Sequence, residues 1–405
     1  MPPTNGHTAN EESLCLITQL QALASRLSNP DDVDARKQCL QLSKALTVQL
    51  EQPENIAVDM AFAPMVATSA RIAVDLNLFA RIAQANAPIS AASLAALSGA
   101  EELLIVRILR LLSAVHFVHE VAPQTWTATR ITHAMATEEI AAGHRMVSRL
   151  IVPAMQSAPA YFQERGYTCP FDPRDGLMQY AFGSKQSTFN RIAADPALLR
   201  DFNTFMGNTM GARKYWVDWY PVQERILDGF AAETAALLVD VGAGKGHDLL
   251  AFRAKFPDAG GRLVLEDLPA VIDGLKEVEG EGDPAIETVP YDFFTEQPVV
   301  GARVYFYHHI LHDWSDPYCL RILQQVAAAM TPGFSKLLVH EIIVSDQRAA
   351  QFQAQFDMTM MAFNAGIERT RLQWQTLLEA AGLTVVGVWD SVDEGGDGIV
   401  EAMKL

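Results

Sequence analysis

Apolar residues in the first part of the chain recur with the spacing of amphipathic helices. Two stripes return at steps of three and four residues, which places each stripe on one helical face. Their members are Leu16, Leu20, Leu23 and Leu27, followed by Cys39, Leu42, Leu46 and Leu50. Pro30 and the acidic residues after it separate the stripes and are typical of a helix start. The pattern predicts a leading pair of helices that serves packing or dimerisation.

Residues 56–118 continue the helical pattern, and a short β-type segment follows them. The breaks between the helical stretches are Asn77, Asn86–Pro88 and Gly99, and the last stretch is Glu101–Val118. Residues 119–129 alternate and turn as the wing of a winged helix does. We therefore predict a helical, winged-helix dimerisation domain over residues 1–130. A helical connector is predicted over residues 131–215, and its many aromatic residues suit the lining of an apolar pocket for a substrate.

From about Ala235 onward, strand-like and helical segments alternate. The strand-like segments are ALLVDVGA, RLVLEDL, VYFYHHI and KLLVHEIIV, and helical segments lie between them. This alternation predicts an α/β fold with a Rossmann-like, doubly wound parallel sheet over residues 216–405. The last segments, LTVVGVWDSV and GIVEAMKL, flank the turn EGGDG and predict an antiparallel hairpin at the sheet edge.

The charge balance argues against two classes of partner. Lys and Arg total 31 against 48 Asp and Glu, which gives a formal net charge of −17. Nucleic acids and anionic membrane surfaces attract basic proteins, so neither is an expected partner. No uninterrupted apolar run reaches the roughly 20 residues of a membrane span, and the start does not resemble a secretory signal. We therefore expect a cytoplasmic location.

A glycine-rich loop follows the first strand of the α/β region. The segment DVGAGKGH has the spacing G-x-G-x-G, whereas a dinucleotide site has G-x-G-x-x-G, and it lacks the GK[ST] of a P-loop. Asp240 before the loop suits a cationic amino group better than a pyrophosphate. Asp267, at the end of the next strand, is placed to meet ribose hydroxyls. S-adenosylmethionine has an amino-acid end, a ribose and no phosphate, so it is the predicted cofactor.

His308, His309, His312 and Asp313 end the strand VYFYHHI and enter the loop after it. Three imidazoles and a carboxylate raise the possibility of a metal site. Because neighbours on a strand point to opposite faces, His308 and His309 are not expected to share one ion, and we predict no metal. One of these histidines is instead well placed as a general base, oriented by a carboxylate such as Glu341 or Glu368.

Taken together, these segments resemble the class I S-adenosylmethionine-dependent O-methyltransferases of plants and fungi that act on small phenolic and polyketide molecules. The matching segments are DVGAGKGHDL, LEDLPAVI, HHILHDWSDPYC, HEIIVSD, DMTMMAFNAGIERT and AAGL. The resemblance covers about residues 230–390 and extends more loosely to the N-terminal region. It implies methyl transfer to a hydroxyl of a small aromatic or polyketide-type metabolite. It also implies a homodimer in which the N-terminal region completes the partner's substrate pocket.

The resemblance also implies site residues. The cofactor ligands it implies are Asp240, Gly242 and Gly244 at the methionine end, Asp267 at the ribose, and Asp292 and Phe293 at the adenine. The catalytic residues it implies are His312 as the base, with Glu341 and Glu368 beside it. Met361 and Asn364 are implied as substrate-pocket residues. Some family members have a lysine at the position of His308.

One alternative function stays open at this point. Fungal relatives of this fold have lost methyl transfer and use the pocket for dehydrations or pericyclic cyclisations, with or without S-adenosylmethionine. Such an enzyme needs a polar group at a substrate carbonyl, for which His133 and His308 are candidates. A ligand-sensing winged-helix regulator is the third possibility, and it predicts a basic recognition helix that this chain lacks.

Overall fold

A computed structural model describes residues 6–208, 214–230, 236–277, 283, 285–391 and 396–405. The chain forms two compact units, Met1–Thr137 and Glu138–Leu405. The three-part division predicted from the sequence, with boundaries at residues 130 and 215, stays a prediction.

The first unit is helical and carries a small antiparallel sheet. Its helices are α1 (Gly6–Leu23), α2 (Val33–Leu50), α3 (Pro53–Asp75), α4 (Leu78–Gln84), α5 (Ala91–Ser98), α6 (Glu102–Ala114) and α7 (Arg130–Met135). Its strands are β1 (Ile89–Ser90), β2 (Val118–Ala122) and β3 (Thr125–Ala128), in the order β1-β3-β2. The predicted wing is the β2–β3 hairpin. Helix α6 ends at Ala114, before the predicted Val118, because the chain turns at His116, whose φ is 65°.

Helix α3 leaves much of its apolar surface exposed. Val58, Met60, Phe62 and Met65 are each more than half exposed. By length and composition alone, this helix among the described residues is able to cross a membrane, which is weak grounds for a membrane contact. The expected absence of a membrane partner therefore stays a prediction.

The second unit combines a helical layer with a large sheet. Its helices are α8 (Glu138–Glu164), α9 (Leu177–Phe182), α10 (Thr188–Ala193), α11 (Pro196–Asn208), α12 (His247–Lys255), α13 (Pro269–Glu277), α14 (Asp316–Ala329), α15 (Gln351–Asn364) and α16 (Arg371–Ala380). Helices α8 to α11 pack with α15 around a core that includes Leu150, Leu177 and Phe363.

The sheet has the predicted doubly wound form. Its strands are β4 (Ala236–Val241), β5 (Arg262–Asp267), β6 (Ile286–Pro290), β7 (Val304–His308), β8 (Lys336–Val344), β9 (Arg369–Thr370), β10 (Thr384–Trp389) and β11 (Asp397–Met403). The order is β10-β11-β8-β7-β4-β5-β6, with β9 paired to β8. Strands β4 to β8 run parallel, and the antiparallel β10–β11 hairpin closes one edge as predicted. Residues 392–395, which include part of the predicted turn, lie outside the described residues.

Strand β6 was missed in the sequence because its side chains are half-buried or exposed, as suits an edge strand. Strand alternation sends successive residues of β4, β7 and β8 into two separate cores. Leu238, Phe306 and Leu338 pack on one face of the sheet, with Trp216 and Phe252. The other face packs against helices α14 and α16. The reversal of strand order between β4 and β7 puts the ligand crevice at the carboxyl ends of these strands.

A buried charge network ties β11 to β8 and to the segment before β4. Glu401, which is fully buried, accepts hydrogen bonds from Arg225 (2.8 and 3.0 Å) and Tyr220 (2.8 Å) and pairs with Lys336 at 2.8 Å. Burial opposes ionisation, yet Arg225 and Lys336 lower the pKa of Glu401 below its ordinary value of 4.5. The network therefore stabilises the folded state fully when the pH is above the ordinary pKa of a glutamate. This stabilisation is lost as the pH falls through the lowered pKa of Glu401.

We expect Glu401→Gln to lower the free energy of unfolding by about 3–5 kcal/mol at pH 7, because two cations lose a buried counter-charge. Urea denaturation followed by circular dichroism measures the change. Glu287→Gln is the matched control, since Glu287 pairs with Arg262 with both side chains nearly half exposed. Its loss should stay below about 1 kcal/mol. Equal losses in the two variants would contradict the role given to the network.

Candidate active site

The glycine loop between β4 and α12 is built from left-handed backbone. Gly242, Gly244 and Gly246 have φ values of 75°, 55° and 75°, which glycine adopts without strain. A Cβ on Gly242 would lie 2.5 Å from Cδ1 of Ile310, so a larger residue here would also have to displace the end of that side chain. A Cβ on Gly244 would meet nothing within 4 Å, so the loop is open at this point. The loop is thus shaped for a ligand to approach its backbone closely.

One buried and one half-buried carboxyl group frame this loop. Asp267 Oδ2 accepts a hydrogen bond from the Gly244 N–H (2.8 Å), and its Oδ1 accepts one from Leu268 (2.7 Å). Burial, followed by the charge of Asp248, raises the pKa of Asp240 well above its ordinary value, and Asp240 is only 2% exposed. A buried carboxyl of this kind is stabilised as an anion by a cationic partner. The amino group and ribose of S-adenosylmethionine fit these two acids.

Asp292 and Phe293 follow β6, and β6 lies beside β5. Asp292 is exposed, and its Oδ1 accepts a hydrogen bond from the Phe294 N–H at 3.0 Å. The Phe293 ring is partly buried, with its centroid 6.0 Å from that of Trp314. The predicted adenine residues therefore lie at the same sheet edge as Asp267. A planar base bound there would have the Phe293 ring as an aromatic neighbour.

The structure brings the three predicted catalytic residues together. His312, Glu341 and Glu368 are all more than 95% buried, and one ligand atom from each lies within 4.8 Å of the others. His312 Nδ1 is 2.7 Å from Glu368 Oε1. Its Nε2 lies 3.8 Å from Asp313 Oδ1, which is beyond hydrogen-bond distance. The ring is therefore anchored at Nδ1, while Nε2 is left for another partner.

Electrostatics in this group favour a charged imidazole. Burial alone would lower the pKa of His312, but Glu368 raises it to about 10. Burial raises the pKa of Glu341 to about 7 and that of Asp313 to about 6. A buried imidazole beside one ionised carboxylate can hold a proton and later release it when a second cation approaches.

Among the described residues, Glu341 makes no hydrogen bond to the His312 ring and instead binds the backbone before it. Its Oε1 accepts hydrogen bonds from the N–H groups of Ile310 (3.2 Å) and Leu311 (2.6 Å), which begin the turn. The other oxygen, Oε2, is buried and has no hydrogen-bond partner among the described residues. The turn also packs tightly against Gly366, where a Cβ would lie 2.1 Å from the His312 carbonyl oxygen.

Arg369, which the sequence analysis missed, holds the same turn from the other side. Its fully buried guanidinium donates to the carbonyl oxygens of Leu311 (3.1 Å), Trp314 (2.8 Å) and Ile367 (3.2 Å). Its Nε donates to Asp316 Oδ1 at 2.9 Å. An arginine beside Glu368 in sequence reads as a solvated residue, so no local pattern reveals this burial.

Asn364 and Met361, the predicted substrate-pocket residues, lie on the last turn of α15. Asn364 Nδ2 donates to the Asp313 carbonyl at 3.1 Å, and its buried Oδ1 has no partner among the described residues. Met361 is partly buried against the helical core. His133 is an exposed residue of α7 in the first unit. The substrate roles of all three stay predictions.

His308 does not stand alone at the end of β7. Its Nδ1 lies 2.7 Å from Asp248 Oδ2, and its ring centroid lies 4.1 Å from that of His340. Burial opposes its charge, but Asp248 raises the pKa of His308 to about 10, whereas burial and the charge of His308 lower the pKa of His340 to about 3. The prediction that the side chains of His308 and His309 point to opposite faces of the sheet is wrong. His309 has a φ of 53°, which ends the strand alternation and lets both rings approach Asp397.

The chain is similar to known methyltransferases over nearly its whole length. Residues 171–384 match the family model described as an O-methyltransferase domain. Over 397 residues, the chain is 60% identical to "O-methyltransferase penC" from Penicillium thymicola, and the alignment covers 98% of each protein.

Similar solved structures include the LepI complex with SAM and a structure described as a pericyclic reaction enzyme. Each is 28% identical and has a TM-score of 0.85, with 98% of this chain and 100% of the other covered. OxaC in complex with SAH and oxaline is 25% identical, with a TM-score of 0.84 and the same coverage. These matches confirm the predicted fold class and cofactor. The chain therefore belongs to the S-adenosylmethionine-dependent O-methyltransferases.

Proposed function

We propose that this enzyme methylates a hydroxyl group of a small aromatic or polyketide-type secondary metabolite, with His312 as the general base. The observation that carries the proposal is the anchored imidazole, whose Nδ1 pairs with Glu368 and whose Nε2 has no hydrogen bond to any described residue. A histidine held in this way presents one nitrogen to a substrate proton in a fixed direction. The loops around it lie at the carboxyl edge of the sheet, where ligands of this fold class bind.

Asp240, Gly242, Gly244 and Asp267 would hold the methionine and ribose parts of the cofactor, and Asp292 and Phe293 its adenine. S-adenosylmethionine, when bound, supplies an electrophilic methyl group on a sulfonium cation. His312 Nε2 would accept the proton of the substrate hydroxyl, which frees that oxygen to take the methyl group that the cofactor supplies when bound. Glu368 stabilises the imidazolium through Nδ1–H. Most of the rate gain would come from positioning the acceptor oxygen in line with the methyl group.

The protonation state of His312 is consistent with this role only when a second cation is near. With Glu368 alone, the pKa of about 10 keeps the ring protonated at neutral pH. A second positive charge close by opposes the imidazolium and lowers this pKa. Loading the cofactor site thus favours the neutral ring that is able to accept a proton.

Pericyclic chemistry is the second candidate function. It is supported by the similarity to a structure described as a pericyclic reaction enzyme, which covers 98% of this chain at 28% identity. An enzyme of that type would transform its substrate without consuming a methyl group. The 60% identity to a protein named as an O-methyltransferase favours methyl transfer. The two candidates differ in whether S-adenosylhomocysteine is formed.

We expect the enzyme to form S-adenosylhomocysteine and a labelled product when it is mixed with methyl-labelled S-adenosylmethionine and a metabolite extract from a host that lacks this gene. Mass spectrometry detects both. His312→Ala should reduce the rate about 10²–10⁴-fold, because it removes the base. His119→Gln, at an exposed histidine of β2, is the control and should keep full activity. A substrate consumed without label would support the pericyclic candidate, and undiminished methylation by His312→Ala would exclude His312 as the base.

We expect Glu368→Gln to move the rising limb of the pH–rate profile to lower pH by roughly one unit or more. The carboxylate raises the pKa of His312, so its loss lets the ring become neutral at lower pH. The plateau rate should fall about 10²-fold, because the ring also loses its oriented hydrogen bond. Steady-state rates between pH 5 and 10 test this. The exposed Glu379→Gln is the control, and identical profiles for wild type and Glu368→Gln would refute the pairing.

We propose further that a second copy of this chain covers the exposed apolar surface of the first unit. Val58, Met60, Phe62 and Met65 on α3 are joined by exposed apolar residues such as Leu50 at the end of α2. An apolar surface spread over consecutive helices is typical of an interface. The net charge of −17 disfavours an anionic membrane as the alternative cover. The cytoplasmic location stays a prediction.

We expect wild-type enzyme to have twice the 44.4 kDa chain mass in solution, measured by light scattering after size exclusion. The double substitution of Phe62→Glu and Met65→Glu should shift it to the monomer, since each places a charge in an apolar interface. Leu372→Glu, on an exposed apolar residue of α16, is the control and should remain dimeric. A monomeric wild type would refute the dimer, and flotation with neutral lipid vesicles would indicate a membrane surface instead.

A further inference from the structure

A second group of histidines and carboxylates lies beside the base and has no part in the proposed methyl transfer. It consists of His308 and His309 at the end of β7 and Asp397 at the start of β11. We infer that His308, His309 and Asp397 bind a divalent transition-metal ion through two imidazole nitrogens and one carboxylate. The inference rests on their geometry alone and does not depend on the proposed function.

The three side chains already converge. His309 Nε2 is 2.9 Å from Asp397 Oδ1, and His308 Nε2 is 3.9 Å from Asp397 Oδ2. All three offer one ligand atom within 4.8 Å of the others. Ligand atoms around an ion such as Zn²⁺ are separated by about 3–4 Å, because metal–nitrogen and metal–oxygen bonds are about 2 Å long. Small side-chain rotations therefore suffice to admit an ion.

The left-handed backbone of His309 makes this convergence possible. In a regular strand, adjacent side chains point to opposite faces of the sheet. At His309 the φ of 53° breaks that rule, and the two ring centroids lie 4.6 Å apart. A non-glycine residue adopts this backbone at a cost in free energy, and such strained residues cluster at functional sites. The conformation of His309 therefore supports a binding role for this edge of the sheet.

Asp248 orients the first imidazole as carboxylates do behind metal-binding histidines. Its Oδ2 lies 2.7 Å from His308 Nδ1, which keeps a proton on Nδ1 and leaves Nε2 as the atom that would exchange its proton for a metal ion. That Nε2 atom is buried and accepts no hydrogen bond from the residues that the structure describes. A buried ring nitrogen without a hydrogen-bond partner, 3.9 Å from a carboxylate oxygen, is a position at which a cation would be stabilised.

Charge and surroundings fit a divalent ion. Asp248 and Asp397 together carry two negative charges, which balance one M²⁺ when the imidazoles are neutral. Two imidazoles and a carboxylate suit Zn²⁺, Fe²⁺ or Co²⁺ rather than Mg²⁺ or Ca²⁺, which prefer oxygen ligands. The set leaves coordination positions for water or a substrate oxygen. His309 is stacked on the His312 ring with centroids 4.9 Å apart, so the ion would adjoin the proposed base.

Cobalt is the probe for this site, because bound Co²⁺ absorbs visible light. We expect tag-free, full-length enzyme treated with a chelator to take up one Co²⁺ per chain with a visible absorption band, and Zn²⁺ to displace it. Zn²⁺ should also raise the midpoint of thermal unfolding, since it binds the folded state. His309→Gln and Asp397→Asn should each weaken binding at least tenfold, and Asp248→Asn about 10–100-fold.

His119→Gln serves as the control for adventitious histidine binding and should leave Co²⁺ uptake unchanged. If Asp397→Asn does not fold, His309→Gln and Asp248→Asn decide the question. Wild-type enzyme that takes up no Co²⁺ would overturn the inference, and so would uptake that is equal in wild type and in these variants. Binding can be measured on enzyme that has lost methyl transfer, so its failure is distinguishable from failure of the proposed function.

Discussion

The buried guanidinium of Arg369 holds the turn on which the active site depends. Removing a charged group from water costs several kcal/mol, so it is tolerated only when every donor has a partner. Here the donors reach three main-chain carbonyls and Asp316. Glu341 secures the start of the same turn through two N–H groups. The turn is thus held by charge-assisted hydrogen bonds from both sides, and His312 is fixed between them.

Strand alternation separates two kinds of chemistry at one sheet edge. His340 and Glu341 are neighbours on β8, and they point to opposite faces. His340 stands on the face of Leu338 and Phe306 and meets His308. Glu341 stands on the other face and meets the turn of His312. His309, with its left-handed backbone, lies between the two groups and touches both.

Much of this arrangement was predictable from the sequence, because it follows from the spacing of apolar residues and from the order of the motifs along the chain. The change from helical spacing to strand–helix alternation predicted the fold class, and the glycine spacing with Asp240 and Asp267 predicted the cofactor. The sequence left Glu341 and Glu368 as alternative partners for His312, and the structure pairs the ring with Glu368. Positions that depend on tertiary contacts were not predictable. Nothing local distinguishes Arg369 from a surface arginine, and no periodicity reveals that His309 leaves the strand conformation.

The contacts of Arg369 with the turn have a consequence for how this fold changes its chemistry. Those contacts are with the main-chain carbonyls of Leu311 and Trp314, and none is with the side chain of residue 312. The hold of Arg369 on the turn therefore does not depend on which side chain stands at position 312. The reacting side chain can therefore be replaced during evolution while Arg369 continues to hold the turn. Acquisition of a new reaction and preservation of the fold are then separate events, and one protein shape can host transferases and cyclases alike.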